Sequence, residues 1–150
     1  MNILVLNGPN LNMLGVREPE HYGTQTLGDL EYMLRQEAAQ MGITVSCFQT
    51  NHEGTLVDRI QGAYQTADGI LINPGAYTHT SVALLDAVKA VKLPTVEVHI
   101  SDPDTREEFR KISYIRAACI ATVKGKGLSG YLEGLHILYD HISAAQAAQG

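Results

Sequence analysis

Short apolar runs rich in β-branched residues alternate along the chain with longer segments whose apolar residues recur every three or four positions. The runs at residues 2–6, 43–48, 69–72, 95–98 and 118–123 read as strands. They are apolar without clean alternation, the pattern of strands covered on both faces. The segment 26–40 reads as a helix, with Leu27, Leu30, Leu34 and Ala38 as its apolar stripe. Thr26 can cap it, Asp29 stands three residues on, and Gly42 supplies the stop. Further helices are expected at 56–64, 80–91 and 130–144, with a short one at 105–109 capped by Asp104. Leu93-Pro94 breaks the third helical pattern before the fourth strand. The tail from about residue 143 reads as frayed.

Five short strands separated by helices imply parallel pairing through right-handed crossovers. The expected architecture is one α/β domain spanning residues 1–150, a doubly wound five-stranded parallel sheet of flavodoxin type. No internal repeat, low-complexity stretch or linker interrupts it.

Composition narrows the function. At 150 residues and 45% hydrophobic, the chain can fill one core, and its net charge is -5. That balance opposes a phosphate-tracking nucleic-acid binder but leaves room for an anionic small substrate, which a few placed arginines can hold. Cys47 and Cys119 lie in apolar stretches and read as small buried hydrophobes rather than a disulfide or a metal pair. Residues 1–7 lack the basic region and apolar length of a secretory signal, and no run has the length of a membrane span. The expectation is a soluble, cytoplasmic protein with no nucleic-acid or membrane partner.

In an open α/β sheet, ligands sit beyond the carboxyl ends of the strands. The first strand leads into Asn7-Gly8-Pro9-Asn10-Leu11-Asn12 and the second into Gln49-Thr50-Asn51-His52-Glu53-Gly54. The third leads into Asn73-Pro74-Gly75-Ala76-Tyr77-Thr78-His79-Thr80-Ser81, and the fourth runs through Glu97-Val98-His99-Ile100-Ser101. Four polar segments on one edge suggest a site. Residues 7–25 form a long connection holding Arg17, Glu18, Pro19, His21 and Tyr22. It is either a solvated loop or a lid over that edge. In a lid, a guanidinium near a tyrosine stabilises the phenolate and lets it act as a base. Glu97 and His99 share a strand face. They form either a packed strand end or an oriented general acid, since a carboxylate beside an imidazole fixes its orientation and favours the protonated form. Arg106 and Arg110, four apart, are either solvated partners of Glu107 and Glu108 or a carboxylate clamp. Asn73 and His79 can cap turns. Asp86, within a helix, is solvated or faces a neighbouring chain.

Other chemistries fit less well. No G-x-G-x-x-G follows the first strand, and Gly8-Pro9-Asn10 does not open straight into a phosphate-binding helix. No G-x-S-x-G appears. The histidines lack zinc-ligand spacing to cysteines or carboxylates.

Taken together, these segments, with Leu14-Gly15, Arg17-Glu18-Pro19, Tyr22-Gly23, Arg106-Glu107-Glu108-Phe109-Arg110 and Gly130-Tyr131, resemble the type II dehydroquinases (3-dehydroquinate dehydratases) from residue 3 to about 141. The resemblance implies a cofactor-free, metal-free lyase of the shikimate pathway or of quinate breakdown, converting 3-dehydroquinate to 3-dehydroshikimate and water. It implies a base at Tyr22 tuned by Arg17, an enolate held by a water near Asn10, and His99, oriented by Glu97, as the acid. It implies substrate contacts from Asn73, His79, Ile100, Ser101, Arg106 and Arg110, with Asp86 reaching the site of a neighbouring subunit in a homododecamer of trimers. Leu85 departs from the arginine usual in that family, and Lys111-Ile112 replaces more polar residues. The alternative is a non-catalytic binding protein of the same fold.

Overall fold

Every apolar run becomes a parallel strand. The computed structural model describes residues 1–16, 20 and 23–150. Strands β1 (Asn2–Asn7), β2 (Thr44–Gln49), β3 (Gly69–Asn73), β4 (Thr95–His99) and β5 (Ala121–Lys124) pair in the order β2-β1-β3-β4-β5, all parallel. The chain runs outward from β1 to β2, then returns across β1 to β3. That reversal creates a crevice at the carboxyl ends of β1 and β3.

Among the described residues, two long helices cover each face. Helices α1 (Leu27–Met41) and α4 (Ser129–Gln149) bury Leu30, Leu34, Tyr131, Leu135 and Leu138 against Ile3, Val5, Leu71 and Val96. Helices α2 (Glu53–Gly62) and α3 (Val82–Val91) bury Leu56, Ile60, Leu84 and Val88 against Leu6, Ile70 and Ile72. The two apolar faces explain why β3 and β4 are buried at every position and show no alternation. The α1 boundaries follow from local chemistry. Thr26 accepts a hydrogen bond from the Asp29 amide, and the Asp29 carboxylate accepts one from the Thr26 amide. Gly42 closes the helix at φ 72°, a left-handed conformation that suits glycine.

Several boundaries differ from expectation. Helix α2 starts at Glu53 rather than 56. Helix α3 starts at Val82 because Ser81, not Thr80, accepts the Leu84 amide as cap. Strand β5 starts at Ala121 because Ile115–Ala118 forms a 3-10 turn. No single helix spans 105–109. The chain instead makes 3-10 turns at Pro103–Thr105 and Glu108–Lys111. Asp102, not Asp104, caps the first of them, accepting the Asp104 amide at 3.0 Å. The Asp104 carboxylate is drawn away to Lys124 on β5. Finally, α4 continues to Gln149, so the expected frayed tail is helical. Its alanines and glutamines are strong helix formers. Among the described residues, no helix is long and apolar enough to cross a membrane.

Candidate active site

The loops after β1 and β3 interlock. A Cβ on Gly8 would lie 2.3 Å from the Pro74 carbonyl oxygen, and one on Gly75 3.0 Å from that of Pro9. Only glycine permits this approach. The Gly8 amide donates to the Asn73 carbonyl at 2.8 Å. A layer behind the β1 loop fixes Asn10: its amide donates to Asn51 Oδ1 at 3.1 Å, and Gln49 Nε2 donates to Asn51 Oδ1 and to the Gly8 carbonyl, both at 3.1 Å. The segment 49–54 therefore supports the cleft without lining it.

The cleft opens where these loops meet the end of β4, and its cavity is about 150 Å3. Asn10 lines it from β1, Asn73 and His79 from β3, and His99, Ile100 and Ser101 from β4. Arg106 and Arg110 also line it. The two arginines meet there through the paired 3-10 turns, not through a helix face. Arg110 Nε donates to Glu107 at 2.5 Å, which leaves the terminal nitrogens of that fork to serve the cleft.

Asn73 is buried, as is the tyrosine behind it. Asn73 Nδ2 donates to the Tyr131 hydroxyl at 2.9 Å, and Asn73 Oδ1 accepts the Gly75 amide at 3.0 Å. The Tyr131 hydroxyl donates in turn to Asn7 Oδ1 at 2.5 Å. Burial pushes this phenol well above its ordinary range, so it stays protonated. Tyr131→Phe keeps the ring but strands an amide N–H and a carbonyl oxygen in the core. A loss of about 2 kcal/mol is expected in urea unfolding, with a higher KM for any ligand held by Asn73. An unchanged midpoint would contradict this account.

The two cleft histidines differ. His79 Nδ1–H donates to the Ile112 carbonyl at 2.7 Å. Burial, with help from His99 and Arg110, outweighs that bond and pulls its pKa down. His79 is therefore neutral at pH 7 and offers Nε2 as an acceptor. His99 Nε2 lies 2.5 Å from Glu97 Oε2, so its Nδ1 is the nitrogen left for the cleft. Glu97 has no exposed surface. Burial alone would raise its pKa, but hydrogen bonds from His99 and Arg116 together hold it down at about 2. Ser113, Arg116 and Thr122 all donate to this carboxylate, and the sequence reading missed all three. Thr122 carried a signal: it is a polar residue inside an apolar run, directly across from Glu97 in the sheet.

Asp86 is exposed on α3 and does not line this cleft. Arg17 and Tyr22 lie outside the described residues. Among the described residues, no group of three or more His, Cys, Asp or Glu side chains is arranged to hold a metal ion.

Comparison with known proteins shows the family. The family model described as "Dehydroquinase class II" matches residues 1–139. A 3-dehydroquinate dehydratase from Geotalea daltonii is 57% identical over 142 residues, covering 95% of this chain and 99% of that one. One from Dinoroseobacter shibae is 49% identical over 149 residues, 99% of each chain. The crystal structure of a type II dehydroquinase from Butyrivibrio crossotus superposes with a TM-score of 0.91 at 47% identity, covering 93% of this chain and 97% of that one. The chain therefore belongs to the class II dehydroquinases, a family of 3-dehydroquinate dehydratases.

Proposed function

We propose that this chain removes water from 3-dehydroquinate to give 3-dehydroshikimate through an enolate, with Tyr22 as base and His99 as acid. The observation that carries this reading is the cleft itself. It gathers a carboxylate-oriented histidine and two arginines at the carboxyl edge of the sheet. The arginines supply the positive wall that a carboxylate substrate needs. The Ile100 and Ser101 carbonyls accept the Gly127 and Gly125 amides, which fixes the segment that meets the substrate. Neutral His79 accepts a substrate hydroxyl at Nε2, and Asn73 offers its second amide hydrogen.

The chemistry divides between two groups. A proton next to a ketone is removed only if the resulting enolate is stabilised, and the water held near Asn10 does this. Hydroxide leaves poorly unless it is protonated. His79, being neutral, is a poor donor, so the role falls to His99 with its fixed carboxylate. In this reading the positive charge of Arg17 makes a phenolate of Tyr22 accessible. The reaction needs no metal, nucleotide or Schiff base, and takes place in the cytoplasm in aromatic biosynthesis or quinate breakdown.

The test is the ultraviolet absorbance of the conjugated enone formed from 3-dehydroquinate by purified protein with nothing added. Turnover unaffected by EDTA is expected. Activity lost to EDTA and restored by zinc would sink the reading, as would a borohydride-trapped lysine adduct. Binding without turnover would favour the non-catalytic alternative.

The exposed carboxylate of Asp86 has no role within its own cleft. In this reading it serves the cleft of a neighbouring subunit in a trimer, with trimers grouped into a dodecamer. Asp86→Ala should raise KM several-fold, and sedimentation should show a large homo-oligomer. A fully active monomer would contradict both.

A further inference from the structure

The buried Glu97–His99 pair does not stand alone. Arg116 lies on the 3-10 turn Ile115–Ala118, outside the cleft lining, yet its guanidinium forks across both oxygens of Glu97. Nε donates to Oε1 at 3.0 Å and Nη2 to Oε2 at 3.1 Å. Thr122 Oγ1 donates to Oε1 at 3.1 Å and Ser113 Oγ to Oε2 at 2.9 Å. The carboxylate has no exposed surface, while the arginine side chain is 35% exposed. We infer that Arg116 is a positioning residue for the proton donor: it is the counter-cation that keeps Glu97 ionised and rotationally fixed, so that His99 is held at one angle to the substrate. This inference rests on the reading of His99 as the acid.

The physics is that of a buried charge. A carboxylate removed from water must be matched by an opposite charge and by donors on its remaining lone pairs. Without Arg116, Glu97 would keep, among the described residues, only His99, Ser113 and Thr122. It would relieve its charge by taking a proton, turning away or admitting water, and each response frees the imidazole. A bidentate fork also fixes the plane of the carboxylate, which a single ammonium cannot do. Because Arg116 does not line the cleft, its loss should leave substrate binding alone and slow the chemical step.

The experiment measures kcat and KM for R116M, R116K, E97Q, H99A and the double variant E97Q/R116M, each checked for fold by circular dichroism. R116M should lower kcat about tenfold to a hundredfold, the scale seen when outer partners that orient a reactive group are removed, with KM within about twofold of wild type. R116K should restore part of the loss. The double variant should be no slower than E97Q alone, because the arginine acts only through the carboxylate. If R116M does not fold, R116K and the double variant give the same comparison, since neither leaves a buried charge unmatched. Normal kcat in R116M with kcat lost in H99A overturns this inference and leaves the acid assignment standing. Losses that multiply in the double variant, or a change confined to KM, also overturn it. Near-normal kcat in H99A overturns the acid assignment itself.

Discussion

Tyr22→Phe should fold and bind substrate like the parent but lose kcat by a factor on the order of a hundred or more, the size expected when a general base is removed. The ring survives; only the proton acceptor is lost. Arg17→Ala should fall by a comparable factor, because a phenol with a pKa of about 10 is almost wholly protonated at neutral pH. The two losses should be far from additive, since both disable one unit. The sign of the pH effect follows. Catalysis needs the phenolate, so the rate rises with pH through the phenol's pKa. Removing the cation raises that pKa and moves the acidic limb of the profile upward. Near-normal kcat in Tyr22→Phe places the base elsewhere. His79 would then be the next candidate, because its Nε2 is free of a proton within the cleft. His52 would not, since it stands at the start of α2 and does not line the cleft. If Arg17→Ala changes only KM, Arg17 holds substrate and the tuning argument fails.

What the sequence made legible follows from how local each interaction is. Strands buried on both faces announce themselves as apolar runs. The start of α1 is written in two side chains three residues apart, and its end in one glycine. One error arose where a distant partner decides. Asp104 looked like a helix cap, but Lys124, across the sheet edge, takes its carboxylate and leaves capping to Asp102. The same distinction governs the site. Asn10, Asn73, His79, His99, Ile100 and Ser101 line the cleft, and each stands at or after a strand end, where the fold gathers ligand groups. Arg106 and Arg110 reach the cleft as expected, although helical spacing is not the reason. Ser113 and Arg116 were not readable as partners of Glu97, and Thr122 showed only as a polar residue inside an apolar run. They lie 16, 19 and 25 residues further along the chain, and the turn before β5 and the β4–β5 register bring them back. The clash that excludes a Cβ at Gly8 exists only once the two loops touch.

His99→Ala should also lose kcat by about a hundredfold to ten-thousandfold, the usual range for a positioned proton donor. The fold should tolerate it, because Glu97 keeps Arg116, Ser113 and Thr122 as partners. The more telling measurement separates the two chemical steps. In deuterium oxide, a protein that forms the enolate but cannot expel hydroxide returns the enolate to starting material and exchanges the acidic hydrogen as it does so. His99→Ala should therefore exchange the hydrogen next to the ketone faster than it eliminates water. Tyr22→Phe, which cannot form the enolate, should do neither. Nuclear magnetic resonance of residual 3-dehydroquinate reads both outcomes in one sample. If His99→Ala suppresses exchange as fully as elimination, His99 acts at proton abstraction and the division of labour between the two residues is wrong. If Tyr22→Phe still exchanges, the base is a different group, and the cleft must supply it without the phenol.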